Sequence, residues 1–284
     1  MSKILILGCN GMIGSTVLRV LARNKDWEVT GSVRTTNKPP IPDTSHVKWM
    51  YGAELTNQDH LAQLMNAVKP DVIVNCAGLT KHLPMGNDPI AALSINALLP
   101  HRLAKLCELT STRLIHISTD CVFSGKKGNY LEDDYPDATD IYGKTKHLGE
   151  VIAPGALTLR TSTIGHELGT RFGLLEWFLS QDSCKGYRNA IFSGLPTLEF
   201  AKVLRDVVIP NSKLEGLYHV AAQPINKDTL LRLIAKVYQK DVEIQTDEQF
   251  SINRSLSSEK FLKATGYRAP DWHEMIEAMH QDKI

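Results

Sequence analysis

Tyr142 and Lys146 stand at i and i+4, which places a phenol and an ammonium on one face of a helix. Such pairs are common on helix surfaces, so the spacing counts only in company. The company here is Ser118-Thr119-Asp120, a polar end to an apolar run, and three glycines, Gly8, Gly11 and Gly14, near the start of the chain. The glycines follow the apolar residues Ile4 to Leu7 and precede an amphipathic pattern at Val17, Leu18, Leu21 and Ala22, which reads as strand, tight turn and helix. A dinucleotide pyrophosphate asks for such a turn, because it needs backbone amides at a helix N-terminus and no Cβ atoms in the way. Gly8 permits the turn, Gly11 lets the phosphates approach and Gly14 lets helix and strand pack closely, with Asn10, Met12 and Ile13 completing the cradle. The G-x-x-G-x-x-G spacing is one residue longer than the common dinucleotide fingerprint.

The second strand, Trp27 to Arg34, ends in Arg34 and Thr35 and carries no acidic residue there. A carboxylate at that position binds the 2′-hydroxyl of NAD, whereas a guanidinium suits the oxygens of a 2′-phosphate. NADPH is therefore expected, with NADH left open. Glu54 and Leu55 follow the third strand, Val47 to Tyr51, and Cys76, Ala77 and Gly78 end the apolar run that starts at Asp71. All five are expected beside the cofactor, together with Ser118. Thr80 and Lys81, just beyond the fourth strand, are expected to touch substrate.

These residues need a frame. A helix from about Gln58 to Val68, another carrying Asn96 to about Leu109, a fifth strand Arg113 to Asp120 and a sixth Ala156 to Ser162 complete a βαβαβα order. That order argues an α/β fold with a doubly wound parallel sheet of the Rossmann type, which binds ligands outside the carboxyl ends of its strands. Residues 1–162 are expected to form the dinucleotide-binding domain, completed by about 197–222. Residues 163–196 and 223–284 are expected to form a smaller mixed α/β cap for the substrate, with a helical patch at Leu174 to Leu179 and a short strand at Val242 to Thr246.

The chain has 284 residues, 43% hydrophobic and 22% charged, with a net charge of +1. That balance calls for neither nucleic acid nor a membrane surface. No run is long enough to span a bilayer and no signal-peptide pattern precedes the first strand, so a cytoplasmic location is expected. Cys9, Cys76, Cys107, Cys121 and Cys184 are scattered and read as reduced thiols. His116 lies inside a strand and reads as a satisfied core residue; His166-Glu167 lacks metal-ligand spacing, and no metal is expected.

The glycine turn, the polar strand end and Tyr142-x-x-x-Lys146 together resemble the extended short-chain dehydrogenase/reductase family. Ser118-Thr-Asp-Cys-Val-Phe-Ser-Gly125, the Gly128 to Asp134 loop, Asp140-Ile-Tyr-Gly-Lys-Thr-Lys-His-Leu-Gly-Glu150 and Leu159-Arg-Thr-Ser162 resemble its dTDP-4-dehydrorhamnose reductase branch. Looser matches continue through Leu195-Pro-Thr197, Gly216-Leu-Tyr-His219 and Arg254-Ser-Leu256. The resemblance implies NADPH-dependent reduction of the 4-keto group of a nucleotide-linked 6-deoxyhexose destined for surface polysaccharide. In that role Tyr142 is the general acid and Thr119 holds the carbonyl oxygen. Lys146 lowers the phenol pKa and binds the nicotinamide ribose. Asp120, Cys121, Thr163 and Arg254 would meet the substrate, Arg254 through its phosphates.

Two departures bear on the sugar: Cys121 stands where the family usually has tyrosine, and Thr163 where it usually has tryptophan. They favour an altered sugar, such as a 2-acetamido analogue on UDP, over dTDP-4-dehydrorhamnose itself. Ser15-Thr16 occupy the place of a glutamate that binds magnesium at some family dimer interfaces, so a magnesium-linked dimer loses support while a homodimer stays open. Two competing functions share the fold. One is a binding subunit like the regulatory subunit of methionine adenosyltransferase; the other is a nucleotide-sugar epimerase or dehydratase, disfavoured because no glutamate adjoins Asp120.

Overall fold

Ile4, Leu5, Ile6 and Leu7 are all fully buried because their strand lies inside a sheet covered on both faces. The computed structural model describes residues 1–83 and 85–282. Its strands are β1 (Ser2–Leu7), β2 (Trp27–Ser32), β3 (Lys48–Met50), β4 (Val72–Asn75), β5 (Arg113–Thr119), β6 (Ala156–Thr161), β7 (Thr163–Ile164), β8 (Ser183–Phe192), β9 (Leu195–Pro196), β10 (Gly216–His219), β11 (Ile225–Asn226) and β12 (Glu243–Asn253). The α-helices are α1 (Met12–Ala22), α2 (Gln58–Val68), α3 (Pro89–Ala92), α4 (Leu99–Thr110), α5 (Ile141–Leu148), α6 (Leu174–Leu179), α7 (Thr197–Val203), α8 (Lys227–Tyr238), α9 (Glu259–Thr265) and α10 (Trp272–Gln281).

A seven-stranded sheet runs β10-β6-β5-β4-β1-β2-β3 with every neighbouring pair parallel. Strand order reverses between β1 and β4, which puts the ligand crevice of a doubly wound fold at their carboxyl ends. Ile4 and Ile6 face a core shared with α1, α7, α8 and α10, while Leu5 and Leu7 face one shared with α2 and α4. Local chemistry sets the boundaries. Asn57 caps α2 by accepting from the amides of Asp59 and His60, and Lys69 ends it in the left-handed conformation just before Pro70.

A three-stranded sheet, β11-β8-β12, lies apart from the large one. The helical patch at α6 is present, but Ser183 to Phe192 is a long strand with no counterpart in the expected elements. The strand expected at Val242 to Thr246 starts at Glu243 and runs on to Asn253. Cross-strand pairs Lys185–Asp247 (3.0 Å) and Arg188–Glu248 (2.9 Å) line this sheet. The end of β12 is tied into the loop after β5, where Asn253 N donates to Gly125 O (2.7 Å), Tyr130 N to Ser255 O (2.9 Å) and Asn129 N to Ser255 Oγ (2.8 Å). α10 packs on α7 and α8, and just beyond its end Asp282 pairs with the buried Arg19 of α1. Among the described residues no helix is long and apolar enough to cross a membrane.

Candidate active site

The glycine turn is held by contact as well as by conformation. Gly8 has a positive φ of 80°, and a Cβ on Gly14 would lie 2.1 Å from Gly8 O. Gly11 caps α1 with no side-chain hydrogen bond. The first-turn amides therefore face the crevice uncapped, in a cradle without Cβ atoms that suits a pyrophosphate. Asn10 is exposed and Met12 and Ile13 are half-buried around it. At the far end of the crevice Arg34 and Thr35 are exposed after β2, and Thr35 Oγ1 donates to Asn37 O (3.0 Å). Glu54 accepts from the Thr56 hydroxyl (2.7 Å), which with the Thr56 amide and the Arg34 charge lowers its carboxyl pKa; Leu55 is half-buried next to it.

A π-helical turn, Leu93–Leu98, joins α3 to α4 and aims the fully buried Asn96 at the loop after β4. Asn96 Oδ1 accepts from Leu79 N (2.8 Å), and its Nδ2 donates to Leu79 O (2.9 Å) and to Thr145 Oγ1 (3.1 Å). That clamp fixes Cys76, Ala77 and Gly78 where β4 meets the crevice. It also ties the same loop to α5. Thr80 and Lys81 are exposed beyond it.

Asp140 caps α5 by accepting from Gly143 N (2.7 Å), and α5 then presses on the turn after β5. A Cβ on Gly143 would lie 2.2 Å from Cys121 O, so only glycine allows this approach. The approach brings the Tyr142 phenol to the Thr119 hydroxyl. Thr119 Oγ1 accepts from Cys121 N (3.1 Å) and donates to Asp120 Oδ1 (3.1 Å). Burial pushes the phenol up, Cys121, Asp120 and Asp140 push it further, and the Thr119 hydroxyl opposes them. Burial also raises the Asp120 carboxyl against the pull of Arg254, Thr119, Cys121 and Lys227.

Lys146 is 4% exposed, and its Nζ donates to Ile117 O (2.6 Å) and meets His116 Nε2 (3.4 Å). Burial lowers its pKa to about 8, against the opposing pull of Glu150 and Cys76. Burial is the chief cause of the phenol's rise, and Lys146 is bonded to β5 through Ile117 O.

Ser118 Oγ donates to Glu150 Oε1 (2.8 Å), so its hydroxyl faces a strut behind the site. Glu150 also receives Arg160 through two bonds (2.7 and 2.8 Å) and contacts His147 Nδ1 (3.1 Å). These bonds outweigh burial and hold the Glu150 carboxyl below its ordinary value. Arg160, on β6, lies over the Phe123 ring at 5.1 Å.

On the side facing the small sheet, Arg254 Nε donates to Phe123 O (2.9 Å) and its Nη1 to Cys121 Sγ (3.6 Å). Burial pushes the Cys121 thiol up to about 12, and Arg254 and Lys81 pull against that rise. Thr163 is half-buried on β7, opposite Leu195. Sequence reasoning missed Lys227, whose Nζ sits 3.9 Å above the Phe192 ring and whose pKa burial lowers to about 8 while Asp120 and Cys121 pull it up. Its local pattern is that of any first-turn lysine, and only the pairing of β11 with β8 reveals its place. Glu150 was likewise missed as the strut's centre.

A family model described as RmlD substrate binding domain matches residues 2–283. A dTDP-4-dehydrorhamnose reductase of Aggregatibacter actinomycetemcomitans is 26% identical over 235 residues, 79% of this chain and 74% of that protein. The methionine adenosyltransferase 2 subunit beta of Danio rerio is 29% identical, over 58% of this chain and 49% of that one. Among solved structures, the dTDP-4-dehydrorhamnose reductase of Bacillus anthracis in complex with NADP superposes with a TM-score of 0.80, covering 100% of both chains at 20% identity.

Proposed function

From the premise that this chain belongs to the RmlD substrate binding domain family, we propose that it is an oxidoreductase that reduces the 4-keto group of a nucleotide-linked 6-deoxyhexose at the expense of NADPH. One observation carries the reading: α5 delivers Tyr142 to Thr119 at the carboxyl end of β5, beside a glycine cradle whose first-turn amides are uncapped. In this reading Gly8, Asn10, Gly11, Met12, Ile13 and Gly14 hold the pyrophosphate and Arg34 with Thr35 the adenosine 2′-phosphate. Bound there, NADPH supplies the hydride.

The chain's own residues do the rest. Thr119 and Tyr142 hydrogen-bond the substrate carbonyl oxygen, and Tyr142 gives it the phenolic proton as negative charge builds. Lys146 holds the nicotinamide ribose and compensates the charge left on the phenol. Asp120, Cys121 and Thr163 shape the sugar pocket, while Arg254, Lys227, Lys81 and Thr80 meet the anionic end of the nucleotide sugar. Residues 163–196 and 223–284 would act as the substrate cap. A cytoplasmic enzyme, alone or as a homodimer, fits this reading.

The test is NADPH oxidation with a panel of dTDP- and UDP-linked 4-keto-6-deoxyhexoses, in the wild type and in Tyr142→Phe. Turnover with one sugar, lowered by about 10²–10⁴ in the variant while NADPH still binds, supports the proposal. Silence across the panel with intact NADPH binding would move the function to that of a cofactor-dependent binding subunit.

A further inference from the structure

Lys227 ends in the sugar half of the crevice with its donors unspent. Asn226 caps α8 by accepting from Thr229 N (2.7 Å), and Ile225, just before it, pairs with Phe192 of β8. Those two ties hold Lys227, in the first turn of α8, over the Phe192 ring, with Nζ 3.9 Å from its centre. An ammonium carries three donors and no acceptor. The Asp120 charge attracts this one, yet among the described residues none accepts a hydrogen bond from it and no direct ion pair joins it to Asp120. Asp120 is 7% exposed. Its Oδ1 accepts from Thr119 Oγ1 (3.1 Å), and the other side-chain donor it meets, the Cys121 thiol, is a weak one. A donor-only group and an acceptor with capacity to spare thus stand apart at the wall of the sugar pocket, between Thr119 and Arg254.

We infer that Lys227 and Asp120 are the specificity-determining pair for an acylamino group on C2 of the sugar, Asp120 accepting from its N–H and Lys227 donating to its acyl oxygen. The order of groups along the crevice selects C2. Thr119 holds the oxygen on C4 and the cations meet the diphosphate on C1, so the substituent that lies beside the diphosphate, within reach of both Lys227 and Asp120, is the one on C2. Lys227 keeps a further donor for the phosphate itself. An amide carries its donor and its acceptor on different atoms, which suits two groups that do not touch; a hydroxyl has both on a single oxygen. Cys121, where the family usually has tyrosine, leaves space for the acyl chain. The inference rests on the proposed nucleotide-sugar function and adds which residues read one substituent of that sugar.

Binding alone tests the pair, without turnover. UDP-N-acetylglucosamine and UDP-glucose differ only in the C2 substituent, acetamido against hydroxyl, and neither offers a 4-keto group. Calorimetric titration of the NADP-loaded protein is expected to show the acetamido ligand bound about tenfold more tightly or better, the worth of a hydrogen bond to a charged group. Lys227→Met keeps an apolar stem over Phe192 and removes the donors. Both ligands should then weaken through the lost phosphate contact, and the preference between them should vanish. Equal affinity of the wild type for the two ligands, no binding of either, or a preference that survives in Lys227→Met overturns the inference. Should Lys227→Met fail to fold, Lys227→Leu takes its place with the same expectation. Selective acetamido binding with silence across the keto-sugar panel would sink only the reductase reading. Turnover of a sugar with a 2-hydroxyl but not of its acylamino counterpart would sink only this inference.

Discussion

Replacing Glu150 by glutamine probes the strut that backs the site. Arg160 has a side chain 2% exposed and Glu150 one 5% exposed, and they meet through two bonds of 2.7 and 2.8 Å. Glutamine keeps the shape and loses the charge, so a buried guanidinium is left without its counterion. At a charge separation of about 4 Å and an effective dielectric near 20 the lost attraction is about 4 kcal/mol. Measured removals of one member of a buried pair cost about 3–5 kcal/mol. For a chain of this size that corresponds to a fall in Tm of roughly 6–20 °C. The assay is thermal unfolding at pH 7, with the double variant Glu150→Gln/Arg160→Met as control; removing both charges should recover most of the loss. The sign with pH is fixed by the lowered Glu150 pKa. The pair's stabilisation is full above the unfolded carboxyl value and is lost as pH falls through the folded one, so wild type and variant should converge in acid. A fall of less than about 2 °C at pH 7, or a gap that persists below the carboxylate range, would refute the reasoning.

Gly14→Ala separates propensity from contact. Helix propensity alone would stabilise it by up to about 1 kcal/mol, but the new Cβ would lie 2.1 Å from Gly8 O, so a lower Tm and lost NADPH binding are expected. Arg34→Ser should weaken NADPH binding by about tenfold or more, the worth of a charge-assisted hydrogen bond, and leave NADH binding unchanged. Equal losses for both cofactors would place Arg34 away from the 2′-phosphate.

The elements around the crevice were legible because their constraints are local. Gly8 and Gly14 answer to backbone contacts within one turn, and β4 opens with an apolar run because both of its faces are covered. Tyr142 and Lys146 were legible as a spacing, yet what Lys146 bonds to was not, since Ile117 O and His116 lie on another element. β8 escaped because Lys185, Tyr187, Arg188 and Asn189 are exposed or half-buried on a sheet with little core to mark it. β12 was cut short for the same reason: Gln245, Thr246, Glu248 and Gln249 give no apolar alternation. Lys227 and Arg254 depend on chain segments far apart in sequence. No local pattern could bring them to Cys121.

The order of the large sheet also has a consequence for a chain still being made. β6 follows β5 directly, but the strand that covers its outer edge, β10, is synthesised only after β7, β8, β9 and two helices. With translation at about 5–20 residues per second, that edge stands open for several seconds on the ribosome. Arg160 sits within β6 opposite His219, and a charged side chain on a waiting edge discourages pairing with a stranger's strand. The residue that later braces the site through Glu150 would thus guard the nascent sheet until its last strand arrives.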